Sequence, residues 1–389
     1  METGPVVIRK HGADRIRRGH LWVYRSDVLD DSKVETGGIV TVREERGTTV
    51  GKAFFSSRSQ IALRFLTRQD IAVDDEFFRK RFAAADQVRE RLGVDPLLSR
   101  RIYSEGDLLP GLIIDRYGDR IVAQSLIQAT DRIQPLVTAI LTERYQPRSI
   151  LFRNDIKVRE LEGLELQQEL IGDALPETTI INEDGRQIAI SLAAGQKTGS
   201  YLDQRDTRRA ARRYARGRAL DAFSYVGGFS IQIGDLCDHV EAVDISASAT
   251  ALARSNVERN GLPNVECIEA NAFDFLRDRH KEGAQYDTII LDPPAFAKNK
   301  ESLKGALRGY KEINYRAMRL LRPGGILMTC SCSHHVTEAL FAEMLADAAN
   351  DAGRWTRVLE RRLQSADHPV LLTVPETLYL KCFILQILS

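Results

Sequence analysis

Thr288-Ile289-Ile290-Leu291-Asp292-Pro293-Pro294-Ala295-Phe296 ends a short apolar run on an acid followed by two prolines. Further along, Ile326-Leu327-Met328-Thr329-Cys330-Ser331-Cys332-Ser333 ends a second such run on a pair of thiols, behind the turn residues Pro323-Gly324-Gly325. Short apolar runs bounded by turn signals read as buried strands of a parallel sheet. Ligands of open α/β sheets bind at the carboxyl ends of the strands, so an acid and a thiol placed there face one pocket. The pairing points to covalent chemistry on a pyrimidine.

Working outward, strands and helices alternate from about residue 198. Strand patterns at 219–223, 239–243 and 265–269 are interleaved with helical ones at 229–236 and 246–260. This alternation argues for a doubly wound parallel sheet. Upstream, β-rich runs at 38–42, 48–55 and 61–66 suit a small barrel. A helix over 74–92, with Phe77, Phe78, Phe82, Val88 and Leu92 on its apolar face, opens an α+β module. That module continues with strands at 111–115 and 120–126, a helix at 131–145, and strands at 149–152 and 188–192. The tail, 370–388, reads as a closing antiparallel hairpin around Pro375-Glu376.

A chain of 389 residues is long enough for two or three domains. Its 55 basic and 54 acidic residues balance, so total charge says little about partners and local clusters decide. No apolar stretch approaches the roughly 18 residues a bilayer span needs, and the polar, basic N-terminus lacks a signal-peptide core. A soluble, cytoplasmic protein without a membrane partner is expected. Cysteines 237, 267, 330, 332 and 382 are odd in number and show no Cys-x-x-Cys pair, which argues against disulfides and a structural metal.

The turn Leu220-Asp221-Ala222-Phe223-Ser224-Tyr225-Val226-Gly227-Gly228-Phe229 lacks the spaced glycines of a dinucleotide fingerprint. Asp221 would repel a pyrophosphate but attract the ammonium of a methionine moiety, favouring S-adenosyl-L-methionine over NAD. Gly227 and Gly228 allow close backbone approach. Asp244 ends the next strand, where an acid commonly holds ribose hydroxyls, and Asn271 after the third could pair with an adenine edge. The neighbouring turn residues Phe223, Ser224, Tyr225, Ile245, Ser246, Ala272 and Pro293 are assigned to the same pocket, with Asp292 at its rim.

Carbon 5 of a pyrimidine accepts a methyl group only after a thiolate adds to carbon 6, and Cys332 is the candidate nucleophile. Asp292 would stabilise the ring nitrogen as its charge changes. Cys330 lies on the same side of an extended chain and is an alternative nucleophile. His334 and His335 are candidate tuning groups or bases. Methylation of an exocyclic amine is the mechanistic rival, but there an aromatic directly follows Pro-Pro; here Ala295 does, and Phe296 comes one later.

With these residues assembled, the whole chain resembles the bacterial large-subunit ribosomal RNA cytosine-5 methyltransferases of the RlmI and RlmO type. The shared marks are Glu105-Gly106-Asp107-Leu108-Leu109-Pro110-Gly111-Leu112, Gly195-Gln196-Lys197-Thr198-Gly199, Asp203-Gln204-Arg205 and 223–229. The resemblance implies a PUA RNA-binding domain over 1–73, a central EEHEE domain over 74–193 and a Rossmann-like class I methyltransferase domain over 194–389. It implies that Asp203, Gln204 and Arg205, with Tyr201 just ahead, line the cofactor pocket and that Cys332 is the nucleophile. The sequence departs from the family pattern at Asn271, commonly Asp, and at His334-His335, where a Gly is common.

The implied partner is 23S ribosomal RNA or a large-subunit precursor, and a homodimer is compatible with the sequence. Charge supports RNA independently. Arg9, Lys10, Arg15, Arg17, Arg18 and Arg25 surround Trp22 and Tyr24. Arg205, Arg208, Arg209, Arg212, Arg213, Arg216 and Arg218 form a second cluster, expected as a basic helix at the pocket mouth, and Lys298, Lys300, Lys304, Arg308 and Lys311 a third. Two other readings stay open: methylation of an RNA amine or ring nitrogen by the same fold, and a non-catalytic RNA-binding or assembly protein that keeps a cofactor pocket.

Overall fold

The computed structural model describes residues 2–297 and 301–389. The chain forms two compact units, one of residues 1–178, 191–202 and 366–377, the other of residues 179–190, 203–365 and 378–389.

In the first unit a six-stranded sheet runs in the spatial order Trp22–Tyr24, Ile61–Thr67, Thr49–Phe55, Ile39–Glu44, Glu2–Ile8, Val28–Asp30. Its two edge strands are consecutive in the chain and separated only by the turn Arg25–Asp27, so the sheet curves round on itself, in keeping with the small barrel read from the runs at 38–66. The first basic cluster is partly spoken for. Arg15 lies 4.7 Å from the Tyr24 ring, Arg17 pairs with Asp14 and Glu44, and Arg25 pairs with Asp31.

A five-stranded sheet follows, in the order Gln167–Gly172, Ser149–Asn154, Arg120–Ser125, Leu112–Tyr117, Leu98–Tyr103. The helix Asp75–Arg91 starts where the Asp74 carboxylate accepts the Phe77 amide at 2.9 Å. Its buried stripe is Phe78, Phe82, Ala85 and Arg89, while Val88 and Leu92 are exposed, contrary to the apolar face expected from sequence. Arg89 takes the core position because every polar group it brings is satisfied. Its guanidinium donates to Asp107 at 2.5 and 2.7 Å and to the carbonyls of Ala85, Arg100 and Asp367. Similarly, Arg100 is paired bidentately at 2.8 and 2.7 Å with Asp115, which is fully buried.

The second unit begins with a hairpin, β1 (Thr179–Glu183) and β2 (Arg186–Ile190). The strand expected at 188–192 is therefore part of this hairpin and not of the five-stranded sheet. Then follow α1 (Arg205–Tyr214), β3 (Gly217–Ala222), α2 (Gly228–Ile233), β4 (Cys237–Asp244), α3 (Ala247–Arg259), β5 (Val265–Glu269), α4 (Ala272–Lys281), β6 (Tyr286–Leu291), α5 (Leu303–Leu320), β7 (Leu321–Ser331), α6 (Glu338–Asp351), β8 (Thr356–Leu363) and β9 (Lys381–Ile387). The sheet order is β5-β4-β3-β6-β7-β9-β8, parallel from β5 to β7 and antiparallel at β9 and β8. The hairpin partner of β9 is thus β8, not 370–374 as expected. The charges at Arg357, Glu360, Arg361 and Arg362 conceal a strand that buries little, while 370–374 belongs to the first unit.

Leu220, Ile289, Ile290 and Leu291 are fully buried, each contributing about 1.5–3 kcal/mol. Residue register places Ala222, Leu291 and Thr329 level across β3, β6 and β7. Strand order reverses between β3 and β6, so the chain just beyond these three residues surrounds the crevice at the switch point. The hairpin is fastened by Asn256, whose amide exchanges hydrogen bonds with the Ala189 backbone at 2.7 and 3.1 Å.

Candidate active site

Asp221 sits on the last turn of the pleat in β3 and has no solvent exposure. Its Oδ2 accepts the Ser230 amide at 3.0 Å and hydroxyl at 2.6 Å, whereas Oδ1 has no hydrogen-bond partner among the described residues. Burial pushes the carboxyl up to about 6, partly offset by the Ser230 bonds. A buried carboxylate with one orphaned oxygen is a ready seat for a cationic ligand group, the donor set that a methionine ammonium fits.

The turn after β3 is unusual backbone. Phe223, Tyr225 and Gly227 all have positive φ, at 69°, 51° and 84°. Such conformations are costly for the two aromatic residues and mark a segment whose path is overdetermined by its surroundings. Phe223 and Ser224 amides both donate to the Val243 carbonyl, and the Tyr225 amide donates to Asp244 Oδ2 at 2.9 Å. Asp244 Oδ1 accepts the Ser246 amide at 2.9 Å, and Ser246 in turn caps α3. The carboxylate keeps lone pairs for further donors. Ile245, beside it, is 68% exposed and offers a flat apolar surface. A Cβ at Gly228 would come within 3.2 Å of the Arg208 side chain, which would have to shift by a few tenths of an ångström.

Asn271 and Ala272 begin α4. The Asn271 Oδ1 already accepts the Phe273 amide at 2.9 Å and the Asp274 amide at 3.4 Å. Helix capping therefore occupies the acceptor that the sequence reading offered to adenine, and the donor Nδ2 is what remains. Ala272 is buried under the helix start.

Asp203, Gln204 and Arg205 lead into α1, all buried. Gln204 Nε2 donates to Asp292 Oδ1 at 2.8 Å, and its Oε1 is buried without a hydrogen bond among the described residues. Asp203 Oδ2 accepts the Tyr379 hydroxyl at 2.6 Å, and its carbonyl accepts both the amide and hydroxyl of Ser365. Tyr201 belongs to the first unit, where Lys197 lies over its ring at 4.3 Å and its hydroxyl bonds Gln196.

The two motifs that opened the sequence meet at the ends of β6 and β7. Cys332 is half-buried, with Sγ 3.8 Å from the Pro293 carbonyl oxygen, and Asp292 is the residue before that proline. Cys330 differs sharply: it is fully buried inside β7, opposite Cys382 of β9, and contact with that thiol and burial hold its pKa well above the ordinary value. The shared side that the sequence suggested for the two thiols is thus divided by the strand end, with one thiol sealed inside the sheet.

The loop around Cys332 is anchored through its neighbour. Ser333 Oγ meets the Tyr310 hydroxyl at 3.0 Å and accepts the Ala297 amide at 3.2 Å, while its carbonyl accepts Lys381 Nζ at 2.7 Å. His334 is exposed, its ring 5.6 Å from that of Tyr379, and His335 is half-buried. Phe296 packs at 4.6 Å from Tyr310 and 5.7 Å from Phe273, inside an aromatic row.

The basic helix is corrected by the structure. Arg208 is buried and paired bidentately with Glu183, which is 1% exposed, and the charges of Asp203 and Asp292 also bear on it. Arg209 pairs with Asp184, Arg212 with Asp235 and Arg218 with Glu241. These arginines are tied down by acids that the linear count of charges did not associate with them. In the third cluster Lys311 pairs with Asp351, Lys304 and Arg308 are exposed, and Lys298 and Lys300 lie outside the described residues. Sequence reading missed Tyr310, Tyr379, Ser365 and Lys381, whose only signal is position within apolar or short polar segments far from the motifs.

The PUA-like domain family matches residues 6–68, and the S-adenosylmethionine-dependent methyltransferase family matches residues 144–370. The chain is 41% identical to ribosomal RNA large subunit methyltransferase I of Erwinia tasmaniensis, covering 99% of this chain and all of that one. It is 39% identical to the protein of the same name from Klebsiella pneumoniae, over 98% of each. In fold it is similar to SMU.776, crystallised with SAH, with a TM-score of 0.86, 21% identity and coverage of 98% and 99%. No described helix is long and apolar enough to cross a membrane.

Proposed function

Since the chain belongs to the S-adenosylmethionine-dependent methyltransferase family that includes ribosomal RNA large subunit methyltransferase I, we propose that it methylates carbon 5 of a cytosine in 23S ribosomal RNA through a covalent Cys332 adduct. At the coarser level it is an S-adenosylmethionine-dependent methyltransferase of large-subunit ribosomal RNA. The observation that carries the finer reading is the contrast at the end of β7, where Cys332 clears the strand beside the Asp-Pro-Pro turn and Cys330 is shut inside. The packing of Phe296 into the aromatic row supports the same reading, because the base-stacking platform of an amine methyltransferase would have to be free.

Asp221 would hold the methionine ammonium on its orphaned oxygen, Asp244 the ribose hydroxyls, and Gln204 the rim beside Asp292. When bound, S-adenosylmethionine supplies an electrophilic methyl group. Cys332, as thiolate, adds to carbon 6 and makes carbon 5 nucleophilic. Asp292, oriented by the Gln204 amide, stabilises the ring nitrogen while its electron density changes. The base must leave its stack or be presented in open RNA, at a cost of roughly a few kcal/mol. We assign that binding to the first unit, leaving the second for chemistry.

The test is nucleoside mass spectrometry of 23S RNA from cells lacking the gene, after incubation with the protein and isotopically labelled cofactor. Label in 5-methylcytidine is expected. Label in a purine, or in another position of cytidine, refutes the carbon-5 assignment. No label in any RNA tested favours the non-catalytic binding reading.

A further inference from the structure

Lys381 is a buried charge that anchors the Ser333 loop but has no part in the proposed chemistry. It opens β9, is 3% exposed and sits in register with Ser331, the residue before Cys332. Its Nζ donates to the carbonyls of Ser333 and Tyr379, each at 2.7 Å. No carboxylate lies within ion-pair distance of it among the described residues, although Glu338, itself paired with Arg361 at 3.4 Å, acts on it from farther off. The other titratable groups around it are the Cys332 thiol, the Tyr310 hydroxyl on Ser333 and His334 against the Tyr379 ring.

Burying an ammonium on two neutral carbonyls is unfavourable, and a methionine of similar length would fill the same space without that penalty. A charge retained in such a place has a use at hand in the neighbouring thiol. A thiolate is favoured beside a fixed cation, and low solvent access strengthens the interaction. Two strands bring this one about, since the loop leaving β7 carries the thiol and the start of β9 carries the ammonium.

We propose that Lys381 is a positioning residue for the nucleophile: it ties the Ser333 and Tyr379 carbonyls together around Cys332 and supplies the positive charge that favours the thiolate. The proposal rests on Cys332 being the nucleophile. In the step it serves, the thiol proton leaves to water and the sulfur lone pair forms the bond to carbon 6. The π pair between carbons 5 and 6 is displaced toward carbon 5 and later forms the bond to the methyl group, releasing S-adenosylhomocysteine; the carbon 5 hydrogen then leaves as a proton to water, its bonding pair restores the double bond, and the sulfur departs as thiolate, so only the methyl donor is consumed. Burial lowers Lys381 to about 8, and the Cys332 charge opposes that shift, the reciprocal of the effect proposed on the thiol.

The experiment is the pH dependence of Cys332 alkylation by iodoacetamide, read by peptide mass spectrometry, in the full chain and without RNA. Lys381→Gln keeps donors for the carbonyls but removes the charge; it is expected to slow alkylation at pH 7 about tenfold and move the profile to higher pH. Lys381→Arg keeps the charge and stays within about threefold of the parent. A Lys381→Gln profile that superimposes on the parent's overturns the proposal, as does an equal loss in both variants. Cofactor binding by calorimetry reports folding. Should Lys381→Gln not fold, the parent profile decides, because a Cys332 that titrates at the ordinary value of about 8.5 has no fixed cation beside it. Since alkylation needs no substrate, it is separable from the nucleophile reading, which fails if Cys332→Ala still transfers methyl groups or if the label appears anywhere but carbon 5 of cytosine.

Discussion

Replacing Asp221 by Asn should make the unliganded protein more stable and nearly blind to its cofactor. The carboxyl is fully buried, and its pKa of about 6 lies about two units above the value of roughly 3.9 expected in an unfolded chain. At about 1.4 kcal/mol per unit, ionised Asp221 costs the unliganded fold about 3 kcal/mol at pH 7. Below about pH 4 the group is protonated whether the chain is folded or not, and the penalty vanishes. Between about pH 4 and 6 the unfolded chain releases its proton first, so stability falls as pH rises through that window. Asn keeps an acceptor for the two Ser230 bonds and removes the charge, so it should recover much of that cost at pH 7 and little at pH 4. Losing a charge-assisted bond to an ammonium should weaken S-adenosylmethionine by about 2–3 kcal/mol, which is roughly 30- to 150-fold. Denaturant unfolding at pH 4.5 and 7, with calorimetry of cofactor binding, measures both. The reasoning is refuted if Asp221→Asn destabilises equally at both pH values, or if it binds cofactor as tightly as the parent.

Three further outcomes are expected. Cys332→Ala should abolish methyl transfer in single-turnover assays while calorimetry still detects the cofactor; Cys330→Ala should retain turnover and lose about 1–2 kcal/mol of stability in urea unfolding, since it only opens a small space beside Cys382. Glu183→Ala should cost about 3–5 kcal/mol in the same unfolding experiment, because it strands the buried Arg208, whereas the double change Glu183→Leu, Arg208→Met should cost clearly less. In RNA-binding titrations over salt, Arg308→Ala should reduce the slope of log K against log salt by about 0.7–0.9, while Arg212→Ala, whose charge is already engaged by Asp235, should leave it nearly unchanged.

What could be read in the sequence followed the apolar runs. β3, β6 and β7 are flanked by glycine, proline or acid and filled with Leu, Ile and Met, and the strand-end residues that matter for chemistry sit directly after them. The failures share a cause. Leu98–Tyr103 escaped notice because Arg100 and Arg101 look like surface residues, yet both are buried against Asp115 and Asp86. The face of Asp75–Arg91 was misjudged because Arg89 occupies a core position in the company of Asp107. The arginines of α1 looked like a phosphate grip because their partners Asp184, Glu183 and Asp235 are near in space but not in a helical repeat. Hydrophobic periodicity cannot register a charge that is neutralised by a distant opposite charge. At the candidate site the same limit hid Lys381 and Tyr379, whose side chains reach Ser333 and Asp203 by hydrogen bonds between segments far apart in the chain.

The path of the chain through the first unit has a bearing on synthesis. Arg89 and Arg100 are made early, yet the Asp367 groups that they bond, a carbonyl for one and a carboxylate for the other, arrive 278 and 267 residues later. Until residues 366–377 emerge from the ribosome, the amino-terminal unit has its barrel and five-stranded sheet but not the strap that closes over a buried guanidinium. Folding of that unit therefore finishes only after the whole intervening methyltransferase sheet from β3 to β8 has been translated. A chain ending before residue 366 leaves the Arg89 guanidinium without its Asp367 carbonyl and the Arg100 amide without its Asp367 carboxylate.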